Sequence, residues 1–282
     1  MTMMELYHKT TFKISKVITR NYSTSFSLGI SAFTPAYRDA IYSVYGYVRL
    51  ADEIVDSFHG FNKHELLNDF RNETLKAIDA GISTNPIINS FQITVNNYKI
   101  EKEFITKFLD SMEMDLSNNY YETDHYNKYV YGSAEVVGLM CLKVFCDNDD
   151  KLFEELIYPA RCLGSAFQKV NFLRDIKSDI EERGRIYLPG VEHLRNIDDE
   201  NKKQLEHDID IEFKEALIGI KKLPNGVRLG VYSAYLYYLI LFKKIKKLNA
   251  KDLLNGRVRI SNLTKFALLI KSLVEVKILR IN

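Results

Sequence analysis

Apolar side chains recur every three or four residues along most of this sequence, the spacing that gives an α-helix one buried face. Residues 4–22 read as a first amphipathic helix with Leu6, Ile14, Val17 and Ile18 on its apolar side. The polar stretch NYSTSFS (21–27) follows as a capping loop. Thr34 as N-cap and Pro35 in the first helical position open the next helix, which runs to about Phe58 and stops near His59-Gly60. Helices are expected over 63–80, with Leu66, Phe70, Leu75 and Ile78 buried, and over 85–117, with Ile100, Phe104, Phe108 and Met112 buried. A turn near Tyr120–Tyr121 leads to helices over about 124–145 and 150–181, the second ended by Gly184, with a turn at Pro189-Gly190. Residues 191–225 are charge-rich with Phe213, Leu217 and Ile220 on one face, a surface helix. The tyrosine-rich run LGVYSAYLYYLILF (229–242) reads as a core helix, and a final helix occupies about 261–280.

Composition supports long helices: 282 residues contain only 13 Gly and 5 Pro, so breaks are few. With 46% hydrophobic residues, no repeat and no linker, the expectation is an all-α fold, one domain over 1–282. Thirty-nine basic residues against thirty-seven acidic ones give +2, which leaves no bulk electrostatic case for nucleic acid. Cys141, Cys146 and Cys162 form no Cys-x-x-Cys and read as buried reduced thiols of a cytoplasmic protein. The N-terminus lacks the apolar core of a signal peptide. The 229–242 run is short of the ~20 residues that span a bilayer. The lysines of KKIKK (243–247) suit a solvated helix end or an anionic lipid surface. No G-x-G-x-x-G or Walker motif occurs.

Two lines of oxygen-bearing side chains carry the chemistry. In QKVNFLRDIKSD (168–179), Asn171, Asp175 and Asp179 stand four apart and so share one helix face. In YGYVRLADEIVD (45–56), Tyr45, Arg49, Asp52 and Asp56 do the same at steps of four, three and four. Two such helices facing each other would enclose an acidic cavity. Its physical demand is Mg²⁺, which takes oxygen ligands from one or two carboxylates and completes its shell with substrate phosphate oxygens. Arg49 and Arg174 could add direct charge to a diphosphate. A di-iron carboxylate bundle would need two Glu-x-x-His segments, and the chain has one, Glu122–His125. A helical lipid-binding module with solvated acidic faces is the non-enzymatic alternative.

YSTSFS (22–27), YxxxRxADEIVD (45–56), YGSAEVVG (131–138), QKVNFLRDIKSD (168–179) and RGRIYLP (183–189) together resemble the squalene/phytoene synthase family, its phytoene synthase branch above all. The resemblance implies an isoprenoid-synthase-type helical bundle with a central cavity, working on prenyl diphosphates. It implies Mg²⁺, or Mn²⁺ in its place, on Asp52, Asp56, Asp175 and Asp179 assisted by Asn171, with diphosphate on Arg49 and Arg174. Ser23 and Ser25 would lie against diphosphate, Arg185 and Tyr187 would flap over substrate, and Tyr45, Tyr131, Gln168 and Tyr238 would shape the cavity. Phe26, Ile30, Val136 and Leu163 are candidates for its floor. Ser178 stands where the family often has an acid, and Glu135 is unusual among the small residues around it. The implied reaction is head-to-head condensation of two geranylgeranyl diphosphates to phytoene. Squalene or dehydrosqualene formation from farnesyl diphosphate is the alternative, the former also needing NADPH. Apolar substrate and product imply work at a membrane surface.

Overall fold

The computed structural model describes residues 1–117, 123–187 and 198–277, and among these there is no strand. The helices are α1 (Met3–Tyr22), α2 (Thr24–Ser31), α3 (Pro35–Asp56), α4 (Lys63–Ala80), α5 (Pro86–Asn97), α6 (Lys102–Ser117) and α7 (Thr123–Val130). A five-residue π-helical stretch (Tyr131–Glu135) joins α7 to α8 (Val136–Cys146). Then come α9 (Asp150–Arg183), α10 (Asp199–Lys222), α11 (Asn225–Ile245), α12 (Ala250–Leu253) and α13 (Asn262–Lys277). The turns expected at Tyr120–Tyr121 and Pro189-Gly190 lie outside the described residues, as does Glu122 of the Glu-x-x-His segment.

Local signals place most boundaries. Pro35 sits in the first turn of α3, and Gly184, in the left-handed region at φ 68°, ends α9. Three expectations need correction. NYSTSFS is not a loop: Ser23 ends α1 with its N–H on the Thr19 carbonyl and starts α2 by accepting from the Phe26 N–H at 3.2 Å. The 85–117 segment is two helices, interrupted where Lys99 takes φ 49°. The apolar side assigned to α1 is only half right: Ile14 and Ile18 pack on the core, but Leu6 and Val17 are exposed while Thr11, Ser15 and Thr19 are fully buried. Their hydroxyls are satisfied, Thr11 and Thr19 on α1's own carbonyls and Ser15 with Ser90 of α5 at 2.7 Å. Gly46 of α3 makes room for that stripe: a Cβ there would come within 3.2 Å of the Ser15 Cα.

The core runs through α3, where Tyr47 stacks on Phe91 at 3.8 Å and on Phe70 at 4.9 Å. In α4 the buried positions are Leu67, Phe70, Thr74, Ala77 and Ile78, with Leu66 and Leu75 only half-buried. The longest helix is α9, 34 residues and thus about 50 Å. It lies between α8 and α10, and Gly219 of α10 gives way to Pro159 inside α9, a Cβ there meeting the proline ring at 2.3 Å. Thus 191–225 is not merely a surface helix: α10 buries Ile209, Phe213, Ala216 and Ile220 against its neighbour. The helical run Asp124–Cys146 is long and apolar enough to cross a bilayer, but 61% of its most apolar stretch is buried inside the protein, as in a core helix.

Candidate active site

On α3, Arg49 is ion-paired with Glu53 and lies 4.0 Å from Asp52, while its guanidinium stacks over Tyr22 at 4.3 Å. Its buried Nε has no hydrogen-bond partner among the described residues. On α9, Arg174 holds Asp175 through Nε at 2.9 Å, and Arg257, from the segment before α13, holds the same carboxylate at 2.7 Å. The two stripes meet through Arg183, which contacts Asp56 of α3 at 3.3 Å and Asp179 of α9 at 2.6 Å. Burial pushes Asp52 up to about 7, with Asp56 adding to the effect, and burial likewise pushes Asp179 up to about 7. Negative charge at these carboxylates is therefore under-compensated despite the arginines. Among the described residues no three Asp, Glu, His or Cys side chains converge on one point; the carboxylates stand in groups spanned by guanidinium.

Beneath the stripes lies a network that sequence reasoning missed. Asp115 of α6 is buried and accepts from the Tyr129 hydroxyl at 2.9 Å and the Tyr187 hydroxyl at 2.8 Å. Arg185 lies 3.8 Å from Asp115 and donates to Asp56 at 2.7 Å and to the Val55 carbonyl. The Tyr187 ring stacks on Phe172 of α9 and Tyr129 of α7. Arg185 and Tyr187, expected as a flap, are instead buried and tied down over Asp56 (Leu188 and Pro189 of that motif lie outside the described residues). Asp115→Ala removes an acceptor from two tyrosines and a neighbour from Arg185. It should cost ~3 kcal/mol in urea unfolding, and Asp115→Asn, which keeps one acceptor, clearly less.

A cavity of about 260 Å³ opens beside the α9 stripe. Its wall is built from α2, α8, α9, α10 and α11, with many small residues (Gly29, Ala134, Gly138, Gly164, Gly219, Gly230) leaving the space. Its polar groups are Ser133, Gln168, Asn171 and Tyr238, joined by long hydrogen bonds: Tyr238 to Asn171 at 3.2 Å, Asn171 to Gln168 at 3.4 Å. Rings of Phe167 and Tyr238 stack at 3.9 Å at this end, and Phe26 bridges them to Tyr45 at 5.4 Å.

Of the four residues expected to shape the cavity, Gln168 and Tyr238 line it; Tyr45 is set one ring behind Phe26, and Tyr131 lies under the Arg161 guanidinium. Burial pushes Tyr45 up to about 12. Among the floor candidates Phe26, Ile30 and Leu163 face the cavity, whereas Val136 is in the packed core and Val137 takes the wall. Ser23 caps α2, and Ser25 lines a neighbouring crevice. Ser178 donates to the Asp175 carbonyl of its own helix, and Glu135 holds Arg161 at 2.6 Å. Cys141 lines the cavity, and burial pushes its thiol up to about 12. The helical bundle, with an acidic, arginine-spanned stripe on α9 next to the polar end of an apolar cavity, has the fold of an isoprenoid synthase.

Comparison with known proteins agrees. The squalene/phytoene synthase family model matches residues 19–264, and the chain belongs to that family. Its members are prenyltransferases, generally dependent on a divalent metal and acting on prenyl diphosphates. A phytoene synthase of Arthrospira platensis is 29% identical over 271 residues, covering 87% of each chain. A dehydrosqualene synthase superposes with a TM-score of 0.81 at 21% identity, over 96% of this chain and 98% of that one. Squalene synthase HpnC from Alicyclobacillus acidocaldarius superposes at 0.75 and 20% identity, over 86% and 95%. At such identities these two structures speak to the fold.

Proposed function

We propose that the protein joins two geranylgeranyl diphosphates head to head into phytoene, through the cyclopropyl intermediate prephytoene diphosphate, with release of both diphosphates. The observation that carries this reading is a long apolar cavity whose polar groups all lie beside the acidic stripe of α9. Cavity-lining residues on α9 extend from Leu156 to Asn171, about 22 Å at 1.5 Å per residue, room for an extended prenyl tail. The likeness to the Arthrospira platensis enzyme favours the phytoene reading. The fold shared with squalene and dehydrosqualene synthases keeps two farnesyl diphosphates as the second reading.

The donor set is hard oxygen, carboxylates and one amide, and it suits Mg²⁺. Asp52, Asp56, Asp175 and Asp179 with Asn171 would hold Mg²⁺ (or Mn²⁺), which neutralises charge on a departing diphosphate. Arg49, whose buried Nε lacks an acceptor, offers that donor to a diphosphate oxygen. Arg174 lies on the same rim. The apolar wall keeps water from an allylic cation, and the stacked Phe167 and Tyr238 rings present π-faces to positive charge.

The test is incubation of purified protein with Mg²⁺ and each substrate without NADPH, with the product identified by mass. Phytoene is expected from geranylgeranyl diphosphate. Dehydrosqualene from farnesyl diphosphate alone would replace the first reading with the second, and no diphosphate release from either would sink both.

A further inference from the structure

Helix α13 packs Leu268 into the core and yet carries a second apolar stripe on its outward side. Its inward side is partly polar: Ser272 is fully buried against Ser233 of α11 at 2.6 Å, Glu275 accepts from the Tyr232 hydroxyl, and Lys265 donates to Thr24. Its outward side is apolar, with Leu263 81%, Phe266 57% and Ile270 51% exposed and Leu273 and Val274 continuing the line. These positions follow one another at steps of three and four, so they form one stripe. A contiguous exposed stripe of this kind marks an interaction surface.

Charge around the stripe indicates what covers it. Residues 243–274 contain nine Lys and Arg and a single acid, Asp252. The lysine-rich end of α11 is joined to the approach to α13, Lys244 donating to the Arg259 carbonyl at 2.8 Å. Lys243, Lys244, Arg257, Arg259 and Lys271 are exposed. Arg257 pairs with Asp175 and Lys271 with Glu275, while Lys243, Lys244 and Arg259 meet no carboxylate among the described residues. Apolar side chains flanked by such cations match an anionic bilayer surface, where each basic residue adds attraction. A second copy of the same basic face would repel it.

The stripe also adjoins the cavity. A narrow crevice between α2, α11 and α13 is lined by Leu28, Tyr237 and Leu268, and it shares Phe26, Gly29, Ala234 and Tyr238 with the cavity wall. We infer that the outer face of α13 lies in the interfacial layer of an anionic lipid bilayer, so that this crevice leads from the cavity to the membrane. An apolar product then passes between α2, α11 and α13 into lipid without crossing water. That route rests on the prenyl-transfer reading; the docking does not.

Flotation of the full chain with phosphatidylcholine vesicles, with and without phosphatidylglycerol, tests the docking in the absence of any substrate. Binding is expected to the phosphatidylglycerol vesicles and to weaken with salt. Phe266→Ser with Ile270→Ser should weaken it by about tenfold or more while leaving the unfolding midpoint and the initial rate of diphosphate release in vesicle-free buffer unchanged. No flotation of the wild type overturns the proposal. So does unchanged binding by the double variant, which would put the contact elsewhere. A wild-type dimer that these substitutions dissociate, without vesicle binding, would mean that a second copy covers the stripe. Vesicle binding by a protein that releases no diphosphate would leave the docking standing and remove only the route.

Discussion

Asp52→Asn is expected to fold more stably than the wild type at neutral pH and to turn over almost nothing. Stability changes because burial raises Asp52 to about 7 in the metal-free protein, far above its unfolded value. Between about pH 4 and 7 the unfolded chain has therefore released a proton that the folded chain still holds, and stability falls as pH rises through that window. Asn carries no charge, so its thermal midpoint should exceed that of the wild type by a few degrees at pH 8 and match it near pH 4. Turnover should drop by ~10³-fold or more, since on the proposed reading this half-buried carboxylate serves a diphosphate leaving group and supplies several kcal/mol. Asp175→Asn should be as inactive but less stable than the wild type, because Asp175 neutralises both Arg174 and Arg257. Calorimetry across pH on both variants decides the matter. If Asp52→Asn proves destabilising at pH 8, the carboxylate is compensated after all and the site does not call for added positive charge.

The contrast between these two aspartates shows what sequence could and could not convey. Each acidic stripe is local: spacing of four residues on one helix puts Asp175 beneath Asp179, and Asp52 above Asp56, wherever those helices go. What Asp56 meets is decided by chain 127 and 129 residues away, at Arg183 and Arg185. Arg183 was within reach of a local argument, standing four residues after Asp179 on the same face. Asp115 was not, since nothing around it repeats and its partners come from α7 and the segment after α9. The misreading of α1 has a different origin. Periodicity arguments assume that the buried face is the apolar one, but a stripe of Thr and Ser can be buried when the hydroxyls bond the helix's own carbonyls and small size allows close approach. There the space left by Gly46 outweighed the transfer preference of Leu6 and Val17. A part of this recurs in α13, where Ser272 is buried beside Leu268 while Leu263, Phe266 and Ile270 are left outside.

Ala160→Phe is expected to change which prenyl diphosphate is used. Ala160 lines the cavity on α9, eleven residues before Asn171, so about 16 Å from the polar end at 1.5 Å per residue. One isoprene unit contributes four backbone bonds of ~1.5 Å, roughly 5 Å when extended. On the proposed reading, a tail of three units anchored at Asn171 ends near Ala160, while a tail of four passes it and runs on toward Leu156. A phenyl ring at 160 fills the space that the fourth unit needs. A pocket discriminates by ~1–3 kcal/mol for a single methylene, and a whole unit is larger. The ratio of kcat/KM for geranylgeranyl over farnesyl diphosphate should therefore fall at least ~100-fold, whichever substrate the wild type prefers. Unfolding should shift by no more than ~1–3 kcal/mol, the cost of overpacking offset in part by the void that is filled. Competition between equimolar substrates, read as the ratio of the two hydrocarbon products, measures this directly. Leu156→Ala extends the same space and should move the ratio the other way. If neither substitution moves it, the tail does not run along α9, and the cavity beside Asn171 is not where chain length is read.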